Sequence, residues 1–346
     1  MTISDATSGG KDVWNQFVEK NYPPVGAFMQ AWEWGDFQVR LGRNIGRYIV
    51  MDGEKKIAVF MMVRFDLPMG LCYGYVPRGP VIAKDATDPE TVTALMDDIR
   101  NWAIEKFPQF LFLRLEPPLP SFPLTLKNTG FFFPKKYVQP RHNATVLVLR
   151  DEEDISASFH PSTRSNLHRA EKRGVTVVTK TEVTAHDYEI FSAMVRDTIK
   201  RNHGVNAYPS DAYFHAFFAT IPPTGETDDS AMLSLEAFYG YHDGKPASAH
   251  FVLFFGKTAT YLYGASRTDH LNSKVDTYLH WSAMREARRR GFEYYDLGGI
   301  DPERWPTLTD FKRQFRGMET HYAGNVDIPI RRNWYKMYSW FKNLKK

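Results

Sequence analysis

One order of secondary-structure elements occurs twice in this 346-residue chain, and it restricts the possible folds more than any other feature. The first copy begins with an apolar stretch at Arg47–Val63, which predicts a hairpin that turns at Asp52-Gly53. A strand at Gly70–Val76, a helix at Asp88–Lys106 and a buried strand at Gln109–Glu116 are predicted to follow. A hairpin, a third strand, a helix and a fourth strand form one α/β unit.

The second copy repeats these parts in the same order. Leu235–Phe255 predicts a hairpin that turns at Asp243-Gly244, and a strand follows at Thr260–Ala265. The pattern then predicts a helix at Val275–Arg290, ended by a glycine, and a buried strand at Phe292–Leu297. The copies are about 185 residues apart, which is far longer than the period of a solenoid repeat. We therefore predict a duplicated domain.

This order of elements resembles the acetyltransferase-like (GNAT-type) unit. The resemblance implies an α/β (α+β) fold class, with two tandem domains of mixed sheets flanked by helices. We place the domains at residues 1–150 and 151–330, with a basic aromatic C-terminal helix at 331–346 that can pack on the first domain. A pyrophosphate-binding R/Q-x-x-G-x-G/A signature is not found in the sequence, which argues against acetyl-CoA as donor.

Composition excludes several classes of protein. The net charge of +4 is too small for a general nucleic-acid binder. The single cysteine, Cys72, rules out an intrachain disulfide and a zinc-thiolate cage, and the 11 histidines show no ligand spacing, so no metal is predicted. The polar start of the chain and the lack of an apolar run of about 20 residues predict a cytoplasmic protein. We expect it to be a monomer.

The C-terminal tail, Arg331–Lys346, is basic and carries aromatic residues at helical spacing. Such a stripe is ordinarily core, which predicts that Trp334, Tyr338 and Phe341 pack onto the body of the protein. The alternative is peripheral contact with an anionic membrane, such as the inner face of the cytoplasmic membrane.

A second basic helix is predicted between the two copies, at residues 161–174. Glu171 is the only acid within it. An exposed solvated face and an anion-binding surface are both compatible with this pattern. The candidate anion-binding residues are Arg164, Arg169, Lys172 and Arg173.

Phe292–Phe315 has the composition of a substrate site. Its apolar strand runs into Asp296, and the Gly298-Gly299 pair then lets the backbone turn and approach a ligand closely. After a polar loop, Lys312 follows between two aromatic residues. A lysine in apolar surroundings can stabilise negative charge.

Taken together, the sequence resembles the Fem-type (FemABX) peptidyltransferases, in the compact form without a coiled-coil arm. The matching stretches are Gln30–Gly42, Tyr75–Val81, Ser162–Val175, Thr198–Phe214, and the Phe292–Phe315 segment continuing to Tyr322-Ala323-Gly324. The resemblance implies transfer of an amino acid from aminoacyl-tRNA to the stem-peptide amine of UDP-MurNAc-pentapeptide or lipid II. Aminoacyl-tRNA would be a co-substrate, and no cofactor is expected.

The resemblance also implies roles for individual residues. Lys312 would stabilise the oxyanion and Glu116 would be the general base. Arg164, Arg169, Lys172 and Arg173 would contact tRNA. The candidate substrate-binding residues are Trp34, Gln38, Arg78, Arg201, Tyr213, Tyr263, Gly298, Gly299 and Phe311. Of these, Trp34, Tyr213 and Tyr263 could equally be core residues.

Other interpretations remain open at this point. Gln38 stands where compact members carry a lysine, which leaves the contact with the acceptor diphosphate open. Lys312 could be a surface lysine at a helix start, and Glu116 could pair with Arg114 or Arg78. The alternative functions are an acyl-CoA-type N-acyltransferase and a non-catalytic protein that binds cell-wall precursors.

Overall fold

A computed structural model describes residues 1–6, 10–22, 27–128, 130–224 and 233–344. The chain divides into two compact units, of which the first comprises residues 1–141 and 321–346 and the second comprises residues 142–320. Each unit contains a seven-stranded mixed sheet with helices against it. The predicted fold class is therefore confirmed.

The first unit is built on a sheet in which β1, β2, β3, β4, β6 and β14 follow one another, with β5 paired to β3. The strands are β1 (Thr2–Asp5), β2 (Ile45–Asp52), β3 (Lys55–Leu67), β4 (Leu71–Val76), β5 (Val81–Ile82), β6 (Phe112–Leu115) and β14 (Val326–Pro329). The helices are α1 (Gly10–Asn21), α2 (Trp32–Arg40), α3 (Pro89–Lys106) and α10 (Arg332–Leu344).

The second unit has the strand order β13, β7, β12, β11, β10, β9, β8. Its strands are β7 (His142–Leu147), β8 (Thr176–Lys180), β9 (Ser234–His242), β10 (Lys245–Phe255), β11 (Thr258–Ser266), β12 (Tyr294–Ile300) and β13 (Met318–His321). Its helices are α4 (Glu152–Ser158), α5 (Pro161–Lys172), α6 (Ala185–Arg201), α7 (Asp211–Thr220), α8 (Val275–Arg289) and α9 (Pro306–Arg313).

Both predicted repeats are present. The series β2, β3, β4, α3, β6 in the first unit corresponds to β9, β10, β11, α8, β12 in the second. Asp243 and Gly244 both have positive φ, as the tight β9–β10 hairpin requires, and Gly291 takes a φ of +81° just after α8. In each unit the strand after the helix lies parallel to the strand before it.

The division into units differs from the predicted domain bounds at two places. Residues 142–150 belong to the second unit because β7 pairs antiparallel with β12. Residues 321–330 belong to the first unit because β14 pairs antiparallel with β6. Both pairings join segments far apart in sequence, so local patterns do not reveal them.

The C-terminal tail forms α10, but the side of this helix that packs on the first unit differs from the predicted one. Tyr335 is buried, and both it and Tyr338 pack on Phe112. The predicted packing of Tyr338 is confirmed, whereas that of Trp334 is wrong because Trp334 is exposed. The side chain of Phe341 lies outside the described residues. Across the described ranges, no helix combines the length and apolarity needed to cross a bilayer.

Candidate active site

In the second unit, the parallel strands β11 and β12 pair over a short distance only. The register joins Thr258–Thr260 with Tyr294–Asp296, and it continues no further. Beyond Asp296, β12 shifts register against β7 on its other side before pairing resumes at Gly299. Backbone groups at the carboxyl ends of β11 and β12 are therefore available for contacts other than strand pairing. Open α/β sheets bind ligands at the carboxyl ends of their strands.

The register shift in β12 is built by Asp296 and Gly298. Gly298 has a φ of +83°, which a glycine adopts without strain. Asp296 is buried, and its Oδ1 accepts a hydrogen bond from the Gly298 N–H at 2.7 Å. Asn143 of β7 donates from Nδ2 to Asp296 Oδ2 at 3.0 Å. These bonds hold the bend in one conformation.

Lys312 lies beside this bend. It occupies the last turn of α9, is only 5% exposed, and donates from Nζ to the Gly299 carbonyl oxygen at 2.8 Å. A Cβ placed on Gly298 would stand 3.4 Å from Lys312 Nζ and 3.6 Å from the Tyr261 carbonyl oxygen. The structure thus brings Lys312, Gly298 and Gly299 together, and it excludes a surface lysine at a helix start.

Burial sets the protonation of Lys312. Loss of hydration lowers the pKa of Lys312 to about 8, although the nearby Asp296 carboxylate opposes the shift. The side chain is thus mainly an ammonium ion at neutral pH, held in surroundings of low polarity. Such a group can both stabilise an oxyanion and donate a proton.

An aromatic cluster lies next to Lys312, and it includes a histidine that the sequence did not single out. Phe311 and Phe315 both contact the ring of His280. The Nδ1 of His280 is 3.0 Å from Tyr295 Oη. Burial, together with the positive charge of Lys312, lowers the pKa of His280 well below its usual range, so the ring is neutral. Phe311 is half-buried and packs edge-on against Phe315.

Three further candidate residues lie on or beside β11: Tyr263, Tyr213 and Arg201. Tyr263 Oη donates to Tyr213 Oη at 2.9 Å, and both rings are partly exposed. Arg201 donates from Nη1 to the Ser266 carbonyl oxygen and to Thr268 Oγ1, each at 3.1 Å. These bonds fix the guanidinium at the carboxyl end of β11, where it remains partly exposed.

In the first unit, Glu116 follows β6 directly and is buried. Its Oε2 accepts from Tyr75 Oη at 2.5 Å and its Oε1 accepts from the Gln139 N–H at 3.2 Å. Burial raises the pKa of Glu116 even though these hydrogen bonds oppose the shift. The suggested pairing with Arg114 is wrong, because Arg114 makes a bidentate ion pair with Asp327.

Arg78 is also buried in the first unit. Its Nη2 donates to the Pro140 carbonyl oxygen at 2.7 Å, and its guanidinium lies 4.0 Å from the ring centre of Tyr322. The contact with Tyr322 connects two of the stretches that carry the family resemblance.

Trp34 and Gln38 lie together on α2, and both are buried. The ring of Trp34 packs edge-on against Phe28 and also contacts Phe37. Gln38 Oε1 accepts from Arg43 Nη1. Contacts within the protein are sufficient to explain the positions of both side chains. Their contact with a substrate remains a prediction.

The basic helix α5 faces solvent as expected. It buries Thr163, Leu167 and Ala170 against the second unit. The four candidate cations, Arg164, Arg169, Lys172 and Arg173, are all exposed. A second basic run, Arg288–Arg290, differs from these four cations because each of its arginines forms an ion pair with an acidic side chain.

Comparison with known proteins agrees with this architecture. The FemAB family model matches residues 227–343. The sequence is 24% identical over 353 aligned residues to a lipid II:glycine glycyltransferase of Staphylococcus aureus strain MRSA252, with 82% of each chain covered. The crystal structure of FemX superposes with a TM-score of 0.78 at 18% identity, covering 97% of this chain and 99% of that one.

A more distant structural neighbour supports the same fold. A tandem GNAT protein from the clavulanic acid biosynthesis pathway has a TM-score of 0.56 at 11% identity, covering 95% of this chain and 98% of that one. The architecture is thus that of the tandem acetyltransferase-like proteins. Within that class, the family-model match, the glycyltransferase relative and FemX all make this chain similar to the Fem-type aminoacyltransferases.

Proposed function

We propose that this protein transfers an aminoacyl group from aminoacyl-tRNA to the stem-peptide amine of a peptidoglycan precursor. The observation that carries the proposal is the buried Lys312 ammonium, 2.8 Å from the Gly299 carbonyl oxygen at the bend of β12. The relatives' name, lipid II:glycine glycyltransferase, supports a lipid-linked precursor as acceptor. The soluble UDP-linked precursor is the second acceptor to test.

The reaction is aminolysis of an ester. The acceptor nitrogen attacks the ester carbonyl carbon, a C–N bond forms, and the bond from that carbon to the ribose oxygen breaks. The proton lost by the amine is ultimately balanced by the proton gained by the ribose oxygen. Lys312 stabilises the tetrahedral oxyanion, because an ammonium ion acts strongly where water is excluded. Its pKa of about 8 also suits proton donation to the leaving ribose oxygen.

Binding is divided among several elements in this proposal. The bend at Gly298 lacks a Cβ, which allows the donor ester to approach Lys312. Arg201 and the Tyr213–Tyr263 pair offer a cation and aromatic surfaces to the acceptor. The exposed cations of α5 offer contacts to tRNA phosphates.

The direct test follows the mass of the acceptor peptide. The protein is incubated with UDP-MurNAc-pentapeptide or lipid II and a set of charged tRNAs, and a gain of one or more aminoacyl residues is expected. Lys312→Met should abolish transfer but retain acceptor binding, whereas Arg313→Met, which removes an exposed cation of the same helix, should keep activity. Acetyl-CoA consumption without tRNA would instead support an N-acyltransferase, and binding without turnover would support a non-catalytic binding protein.

Glu116 requires a separate test, because both of its oxygens already accept hydrogen bonds from the protein. If Glu116 is the general base, Glu116→Gln should lower kcat by roughly 10²- to 10⁴-fold with little change in KM. Tyr75→Phe is the matched control, since it removes one of those hydrogen bonds and keeps the carboxylate. Equal losses in the two variants would make Glu116 a structural residue.

A further inference from the structure

The inner side of α10 fixes its orientation on the first unit. Tyr335 is 3% exposed, and its Oη donates to Asp327 Oδ2 at 2.8 Å. Its ring packs against Phe112 and Phe132, with ring centres 5.4 and 5.2 Å apart. Because Asp327 belongs to β14 and also pairs with Arg114, these contacts attach the helix to the edge of the sheet.

The outer side of α10 carries large apolar side chains. Trp334, Met337 and Trp340 are 40%, 41% and 59% exposed. Residues three apart lie on the same face of an α-helix, so these three form one stripe. Around the helix axis, Trp334 lies about 100° from the buried Tyr335, and Met337 lies further from Tyr335 still. The stripe therefore faces away from the sheet.

The charge around this stripe is of one sign. Residues 331–346 contain six lysines and arginines and no aspartate or glutamate. Arg331, Arg332 and Lys336 are exposed, and the Arg331 guanidinium lies 5.5 Å from the ring centre of Trp334. Tryptophan favours the boundary between lipid headgroups and acyl chains, and flanking cations attract anionic headgroups.

We propose that α10 docks the protein on an anionic bilayer, with the Trp334–Met337–Trp340 stripe at the headgroup–acyl boundary. The helix lies in the plane of the membrane surface, as basic amphipathic helices do. A second copy of the chain fits less well, because two stripes with the same positive flanks would repel. Nucleic acid fits less well too, because Met337 at the centre of the stripe cannot stack on a base.

The test uses the full-length protein and vesicles, without donor or acceptor, so it does not depend on the proposed reaction. Co-sedimentation is measured with vesicles of phosphatidylcholine alone and with one-third phosphatidylglycerol. We expect binding to the anionic vesicles and much weaker binding to the neutral ones. Trp334→Ser/Trp340→Ser should lower the partition coefficient by at least about tenfold, and Arg332→Gln/Lys336→Gln by about fivefold for each cation removed.

The matched control is Met69→Ser/Leu124→Ser, which removes two exposed apolar side chains elsewhere in the first unit and should bind like the wild type. All of the variants retain Tyr335, which fixes α10 on the first unit. Circular dichroism checks that each variant is folded. Equal binding by the tryptophan variant and the control would overturn the proposal, as would no binding by the wild type. Loss of dimerisation, or of tRNA affinity, in the tryptophan variant without any loss of vesicle binding would assign the stripe to that other partner.

Discussion

Replacing Lys312 with methionine should stabilise the folded protein while abolishing transfer. The pKa of Lys312 is lowered from 10.5 to about 8 because its ammonium group is buried. Each pKa unit corresponds to about 1.4 kcal/mol, so the charge costs roughly 3 kcal/mol at neutral pH. Methionine has a similar shape but loses the hydrogen bond to the Gly299 carbonyl, worth about 1.5 to 2 kcal/mol. We expect a net gain of about 1 to 2 kcal/mol.

The pH dependence of this gain has a definite sign. The pKa of Lys312 is lower in the folded than in the unfolded state, so between pH 8 and 10.5 the unfolded chain binds more protons. The wild type is therefore stabilised by this group as pH rises through that window, while the variant is not. The advantage of Lys312→Met should be full at pH 7, should disappear near pH 9 and should reverse by about pH 10, because the wild type regains roughly 2.5 kcal/mol over that range.

Urea denaturation of both proteins at pH 7 and pH 9.5, followed by circular dichroism, measures this difference. Arg313→Met is the control, because Arg313 is exposed and loss of its surface ion pair with Glu319 should cost no more than about 1 kcal/mol, by the same amount at either pH. A Lys312→Met protein that is less stable than the wild type at pH 7, or a difference that does not change with pH, would refute the reasoning.

Three other predictions concern activity. If Lys312 acts as an ammonium ion, as proposed, kcat should fall above a pH of about 8, and a pH–rate profile that keeps rising to pH 9.5 would contradict this role. Gly298→Ala should destabilise the protein by about 1 to 2 kcal/mol through its positive φ and should lower kcat/KM, as urea titration and initial rates would show. Arg169→Gln/Lys172→Gln should reduce the salt dependence of tRNA binding by about two in log–log slope, whereas Arg289→Gln, already paired with Glu286, should leave it unchanged.

Features that depend on neighbouring residues could be predicted from the sequence. The β9–β10 hairpin turns at Asp243-Gly244 because both residues adopt a positive φ. The grouping of Lys312 with Gly298 and Gly299 was also predictable, since a short loop and one helix connect them.

Features that depend on distant partners could not be predicted. Asn143, which holds Asp296, comes from a strand 153 residues earlier in the chain. Arg114 pairs with Asp327 from a segment 213 residues away, so a pairing with the nearby Glu116 looked equally reasonable from sequence. The side of α10 that packs on the first unit likewise depends on the contact between Tyr335 and the distant Phe112 of β6, because the tail has aromatic residues on more than one face.

The two copies of the fold differ at the end of the strand that follows the helix. In the first unit, the Glu116 N–H bonds to the Val76 and Gly79 carbonyl oxygens, which continues the contact between the parallel strands beyond β6. In the second unit, the β11–β12 pairing ends at Asp296, and the bend at Gly298 turns the chain towards Lys312. One duplicated strand end is thus closed by its own backbone and the other is left for a buried cation. This difference supports the proposal that the chemistry takes place beside Lys312 in the second unit.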